Sequence, residues 1–177
     1  MPGLTLCLRA LFALILLAAC AGPAARESFR DPALSLYSNA VFERGRLVGR
    51  WQQVAAFAAA NAPDCRPGLA EFTPQGEGLK LNARLCLSGR EVPYSGVVSF
   101  IETGRMQLSG ADPAGIGQPW WVIWVDVDYR TLVIGTPSGD FGFILNRDGA
   151  LPQDRLAAAR EILDWNGYDL ARLRVFR

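Results

Sequence analysis

Residues 119–147, PWWVIWVDVDYRTLVIGTPSGDFGFILNR, decide the fold. Three apolar runs, 120–127, 132–136 and 141–146, are dense in the β-branched and aromatic residues that suit a pleated surface. The breaks between them, Asp128-Tyr129-Arg130 and Pro137-Ser138-Gly139-Asp140, are short and carry turn residues. This predicts an antiparallel meander. In the first run the alternating sets Trp120/Val122/Trp124 and Trp121/Ile123/Val125 are both apolar, so each face needs cover from water.

Outside that stretch the chain supplies the cover. Residues 47–58 read as a strand through the alternation Trp51/Gln53/Ala55/Phe57, although their alanines also suit a helix. Two hairpins follow. Residues 69–73 and 79–86 flank Gln75-Gly76-Glu77-Gly78, and residues 93–101 turn through Glu102-Thr103-Gly104 into 105–109. Residues 110–119 read as a loop. Pro152 and Asp154 begin a helix with apolar residues at helical spacing, stopped near Asn166-Gly167, and a last apolar run over 170–176 predicts another strand. So long an antiparallel meander has edges to hide, and closure removes them. The expected fold class is mainly β, an eight-stranded antiparallel up-and-down β-barrel with one C-terminal helix and a final short strand. Such a barrel is just wide enough to be filled by side chains or to hold one small ligand.

The amino terminus reads differently. Arg9 precedes an apolar run over 10–17 that is too short to span a bilayer and is followed by small residues, the pattern of a secretory signal. It ends Leu17-Ala18-Ala19-Cys20, which resembles a bacterial lipobox. That resemblance implies cleavage before Cys20 and attachment of lipid chains, palmitate among them, which would hold the protein on a membrane. The alternative is an ordinary signal peptide with an incidental Cys. Ala21 rather than Asp after the Cys implies the outer membrane. The expected organisation is a signal peptide over 1–19, a lipidated tether over 20–40 and a folded domain over 41–177. In an oxidising compartment Cys65 and Cys86 are then the remaining thiol pair and are expected to be bonded. The alternative is two separate buried thiols. Centring the first hairpin turn on Glu77 places Gly68 opposite Cys86, with Cys65 just past the strand end.

Composition narrows the function. Formal net charge is +1, with Lys80 the single lysine, which lacks the basic field that nucleic acid requires. The chain has no His, which removes the usual general base and the commonest transition-metal ligand; no cofactor or metal is implied. Asp126 and Asp128, two apart, are the remaining pair for acid–base work, and such a pair more often caps a turn. A peroxidatic role for Cys65 is a rarer alternative.

Gly49-Arg50-Trp51 opening the first strand, Asp126-Val127-Asp128-Tyr129 after the sixth, and Arg147 ending the eighth resemble the three signature motifs of the lipocalins, most similarly the bacterial outer-membrane lipoprotein lipocalins. The resemblance runs over 41–176 and is weakest over 64–110. It implies that Trp51 and Arg147 stack at the closed end of the barrel, and that Asp128 and Tyr129 fix a turn, leaving ligand contacts to inward positions nearer the mouth. Alternation from Trp51 gives Gln53, Ala55 and Phe57; from Arg147 it gives Leu145, Phe143 and Phe141; on the sixth strand Val122 and Trp124 are expected. For each of these, ordinary core filling is the alternative. The expected ligand is a fatty acid or lysophospholipid, held for envelope lipid storage, transport or scavenging. The competing readings are a structural envelope lipoprotein with a filled barrel and, behind it, an enzyme on the same fold.

Overall fold

A computed structural model describes residues 28–110 and 115–176. The expected signal peptide and the lipobox Cys20 lie outside the described residues. The strands are β1 (Gly49–Phe57), β2 (Leu69–Gln75), β3 (Gly78–Leu87), β4 (Arg90–Glu102), β5 (Arg105–Ser109), β6 (Trp120–Val125), β7 (Thr131–Gly135) and β8 (Gly142–Asn146). Each pairs antiparallel with the next, and β1 pairs with both β8 and β2, so the sheet closes on itself as an eight-stranded up-and-down barrel. Helix α1 (Gln153–Trp165) lies against β6 and β7, and β9 (Leu173–Val175) adds to β1 beyond the point where β2 leaves it.

Closure sorts the apolar residues into two cores. One fills the barrel, with Trp51, Phe72, Leu81, Trp120 and Phe143 among its members. The other lies between the outer wall and α1, where Phe57, Ile123, Val133 and Ile144 meet Ala159, Leu163 and Tyr168. This accounts for the doubly apolar strands: β7 and β8 are buried along their whole length because one face looks into the barrel and the other under the helix.

Three departures from the sequence reading have local causes. The β2–β3 register pairs Leu69 with Arg84, one residue away from a turn centred on Glu77, so Gly68 does not stand opposite Cys86. The short link Ser88-Gly89, with both residues at positive φ, makes β3 and β4 one continuous hairpin that starts at Arg90 rather than near residue 93. The lead-in expected to be a tether is folded from Ser28 onward. Phe29 and Arg30 are buried, Phe29 N donates to Gly139 O (2.7 Å), and the segment runs down the wall to Phe42 and a 3-10 turn at Arg44–Leu47.

Candidate functional site

The barrel has one closed and one open end. At the closed end Leu47, from the 3-10 turn, enters the core and accepts a hydrogen bond from Trp51 Nε1 (2.8 Å). The guanidinium of Arg147 lies 4.0 Å from the centroid of the Trp51 ring, donating to Tyr129 O (2.9 Å), Arg46 O (2.7 Å) and Val48 O (2.9 Å). Burial lowers the Arg147 pKa from its ordinary value, against the opposing pull of Asp148, and the group remains a cation. Gly49 is required here. Its φ is +113°, and a Cβ on it would stand 2.8 Å from Arg147 Nη1.

The acidic pair belongs to this scaffold. Asp126 Oδ1 accepts from the backbone N–H groups of Arg130 (2.7 Å) and Thr131, and Asp128 pairs with Arg130 (2.7 Å) on the surface. Tyr129, at φ +55°, accepts from Glu43 N through its hydroxyl and carries Arg46 over its ring. Both carboxylates are thus committed to the β6–β7 turn. Among the described residues no group of three or more His, Cys, Asp or Glu is placed to hold a metal.

The upper half of the barrel is aromatic. Trp120, Phe141 and Phe143 form one cluster, with ring centroids 6.2 Å apart for Trp120–Phe141, 5.1 Å for Trp120–Phe143 and 6.1 Å for Phe141–Phe143. Ile116, fully buried, descends on this cluster from the β5–β6 loop, and Trp120 Nε1 donates to its carbonyl (2.8 Å). Polar contacts hold that loop: Gln107 Nε2 donates to Gly117 O (3.3 Å), Gln118 Nε2 to Asp140 Oδ2 (3.3 Å), and the Ser138 hydroxyl to Gln118 Oε1.

The wall has a seam between β1 and β2. β2 leaves β1 after Gln52, and the chain between them carries Pro63 and Pro67. The buried side chain of Gln53 spans the break: Nε2 donates to Cys86 O (2.9 Å), while Oε1 accepts from Cys86 N (2.7 Å) and Gly68 N (3.2 Å). One side-chain amide thereby replaces a missing strand partner. Gly68 permits the approach, since a Cβ there would lie 2.3 Å from Arg84 O and 2.7 Å from Gln53 Oε1. The Cys65–Cys86 disulfide, expected from the sequence, closes the same seam with a Cα–Cα distance of 5.9 Å.

Of the positions expected to face the ligand, Val122, Phe141, Phe143 and Leu145 belong to the core that fills the barrel, and Gln53 is buried in its wall. Ala55, Phe57 and Trp124 do not belong to that core; they lie in the layer under α1. The cause is a bulge in each strand, between Gln53 and Ala55 in β1 and between Val122 and Trp124 in β6, which puts two successive residues on the outside and inverts the alternation beyond it. Ala56 and Val125 face inward instead. Gln53 is a wall residue whose amide is fully used by the seam. Sequence reasoning missed Ile116, although a lone large aliphatic in a Gly- and Pro-rich loop is the signal that such a loop is anchored in a core.

A closed eight-stranded barrel, a flanking helix and a Trp–Arg base define a lipocalin. The chain belongs to that family: residues 42–177 match the family model of the lipocalin-like domain. Apolipoprotein D of Cavia porcellus is 24% identical over 151 residues, 75% of each chain. Among solved structures, lobster apocrustacyanin A1 superposes with a TM-score of 0.61 at 14% identity, covering 87% of this chain and 92% of that one. Apocrustacyanin C2 does so at 0.53 and 16%, covering 76% and 78%. Lipocalins are in general binding proteins for small hydrophobic molecules rather than enzymes.

Proposed function

We propose that the chain is a lipid-anchored lipocalin of the bacterial outer membrane that takes a single-chain amphiphile, a fatty acid or lysophospholipid, into the upper barrel for storage, transport or scavenging of envelope lipid. The observation that carries the reading is the Trp120/Phe141/Phe143 cluster inside the barrel, with the buried Ile116 of the β5–β6 loop in the same core. An acyl chain replacing Ile116 would exchange one apolar contact for another, gaining about 0.8 kcal/mol for each methylene removed from water. Its head group would stay among the polar loop residues at the mouth. The anchor is Cys20, and support for it is the lipobox pattern. The test is extraction of the mature protein purified from its native envelope, followed by uptake of a fluorescent fatty acid. Recovery of a reproducible single-chain lipid and saturable uptake support the reading; failure of both would leave the filled barrel of a structural lipoprotein, the reading favoured by the complete burial of Trp120, Phe143 and Ile116.

A further inference from the structure

Exposed large apolar side chains are scattered over the closed end, as Val41, Val127 and Ile101, but three stand together elsewhere: Leu34 (48% exposed), Tyr37 (55%) and Trp165 (68%). The Tyr37 and Trp165 rings are 5.4 Å apart, and Leu34 packs beside Gly167 just past the end of α1. These residues are held by the same contacts that seat the lead-in segment. Tyr37 N donates to Asn166 Oδ1 (3.0 Å), Asp31 N to Gly167 O (2.8 Å), and Arg30 Nε and Nη1 to Asn166 O (3.2 Å) and Pro137 O (3.0 Å). A rigid, outward-facing Trp–Tyr–Leu cluster is the composition of a membrane-interface anchor, where one end of each ring is apolar and the other wet.

We infer that this patch docks on the surface of a phospholipid bilayer beside the lipid anchor, an inference that rests on the Cys20 reading above. Tether length commits the patch to that occupant. Residues 21–27 separate Cys20 from Ser28, and the eight Cα–Cα steps between the two span at most about 28 Å. Ser28 is fixed to the β7–β8 turn at the open end, donating through its hydroxyl to Ser138 O (3.0 Å). The patch adjoins that point through Arg30 and Asp31. The apolar residues of the closed end are a barrel length away, roughly 25 Å for tilted strands, which would require the tether to run fully extended down the wall. Asp31, Asp164 and Asp169 flank the patch, so the fit is to zwitterionic head groups rather than a strongly anionic surface. Docked in this way, the protein presents the β7–β8 rim of its mouth to the bilayer side.

The test uses the full lipidated chain on phosphatidylcholine vesicles doped with a phosphatidylcholine brominated near the top of its acyl chains, comparing native protein with Trp165→Phe, Leu34→Ser/Tyr37→Ser and Cys20→Ser. The expected result is co-flotation of all but Cys20→Ser, with bromolipid quenching of tryptophan fluorescence that disappears in Trp165→Phe and weakens in the Leu34/Tyr37 variant. Three side chains are too small an area to hold the chain without its lipid. Co-flotation with the quenching fully retained in Trp165→Phe overturns the docking and leaves the anchor standing. Flotation of Cys20→Ser equal to native overturns the anchor and the tether argument with it. Self-association of native chain that Trp165→Phe abolishes, without bromolipid quenching, would assign the patch to a second copy and also overturns the proposal.

Discussion

Arg147 lies flat against Trp51, its guanidinium carbon 4.0 Å from the ring centroid, and the same guanidinium satisfies three backbone carbonyls, those of Arg46 and Val48 ahead of β1 and of Tyr129 in the β6–β7 turn. Planarity lets one group do both. Arg147→Lys keeps the charge and loses the fork and the stack, and is expected to cost about 1–2 kcal/mol in urea denaturation. Gly49→Ala forces a side chain onto Nη1 at a φ that disfavours it and is expected to cost about 1–3 kcal/mol. Lipid affinity per folded molecule stays unchanged in both, because the base is remote from the mouth.

Gln53 is predicted to be a structural residue whose loss opens the barrel wall. Gln53→Leu preserves volume but strands the buried N–H and C=O of Cys86, at about 1–3 kcal/mol for each group left unsatisfied. Hydrogen exchange should show the Cys86 amide becoming one of the least protected of β3. Unchanged protection of that amide would contradict the bridging role.

Reducing the Cys65–Cys86 bond releases the proline-bearing segment over the seam, which closes a loop of 21 residues. The expected loss is about 3 kcal/mol on the chain-entropy model. Combining reduction with Gln53→Leu should cost less than the sum, since both act on one seam; a double-mutant comparison measures it.

Tyr168 joins the C-terminal segment to the β7–β8 turn: its hydroxyl accepts from Thr136 N (2.8 Å) and donates to Phe141 O (3.1 Å). Burial pushes its pKa up to about 12, against the smaller lowering effect of Thr136. The neutral phenol is the form the fold accepts. Its contribution is therefore fully present below the unfolded value near 10 and is lost as pH rises from about 10 to 12, by roughly 2–3 kcal/mol in all. Tyr168→Phe should be less stable at neutral pH and show a shallower decline over that window.

Ile116→Ala is expected to lower stability by about 2–4 kcal/mol, as for other large-to-small core changes, and to speed uptake of a fluorescent fatty acid. Uptake unchanged from native would mean that the ligand does not enter past the aromatic cluster.

The class of fold was legible because its largest signals are local. Doubly apolar strands over 119–147 demand cover on two sides, whereas the place of Trp51 and Arg147 at the base is implied by the resemblance to the lipocalin motifs. Facing was less legible. The alternation that put Gln53 and Phe143 inside put Ala55, Phe57 and Trp124 there too, because neither bulge carries a Gly or Pro to mark it. Ile116 was hidden for the opposite reason: its loop has no period, and only its burial in the barrel core beside Trp120 reveals it. The Gln53 bridge depends on two residues 33 apart meeting at a seam that exists only after closure.

In the proposed binding mode one acyl chain takes the place that Ile116 holds beside Trp120, Phe141 and Phe143. Native mass spectrometry of delipidated mature protein, offered a series of fatty acids and lysophospholipids, checks this when run beside Ile116→Trp, whose larger side chain is harder for a ligand to displace. A one-to-one adduct with native protein is expected, lost or strongly reduced in Ile116→Trp while the variant remains folded. Absence of any adduct with native protein, or equal adducts with both proteins, would contradict it.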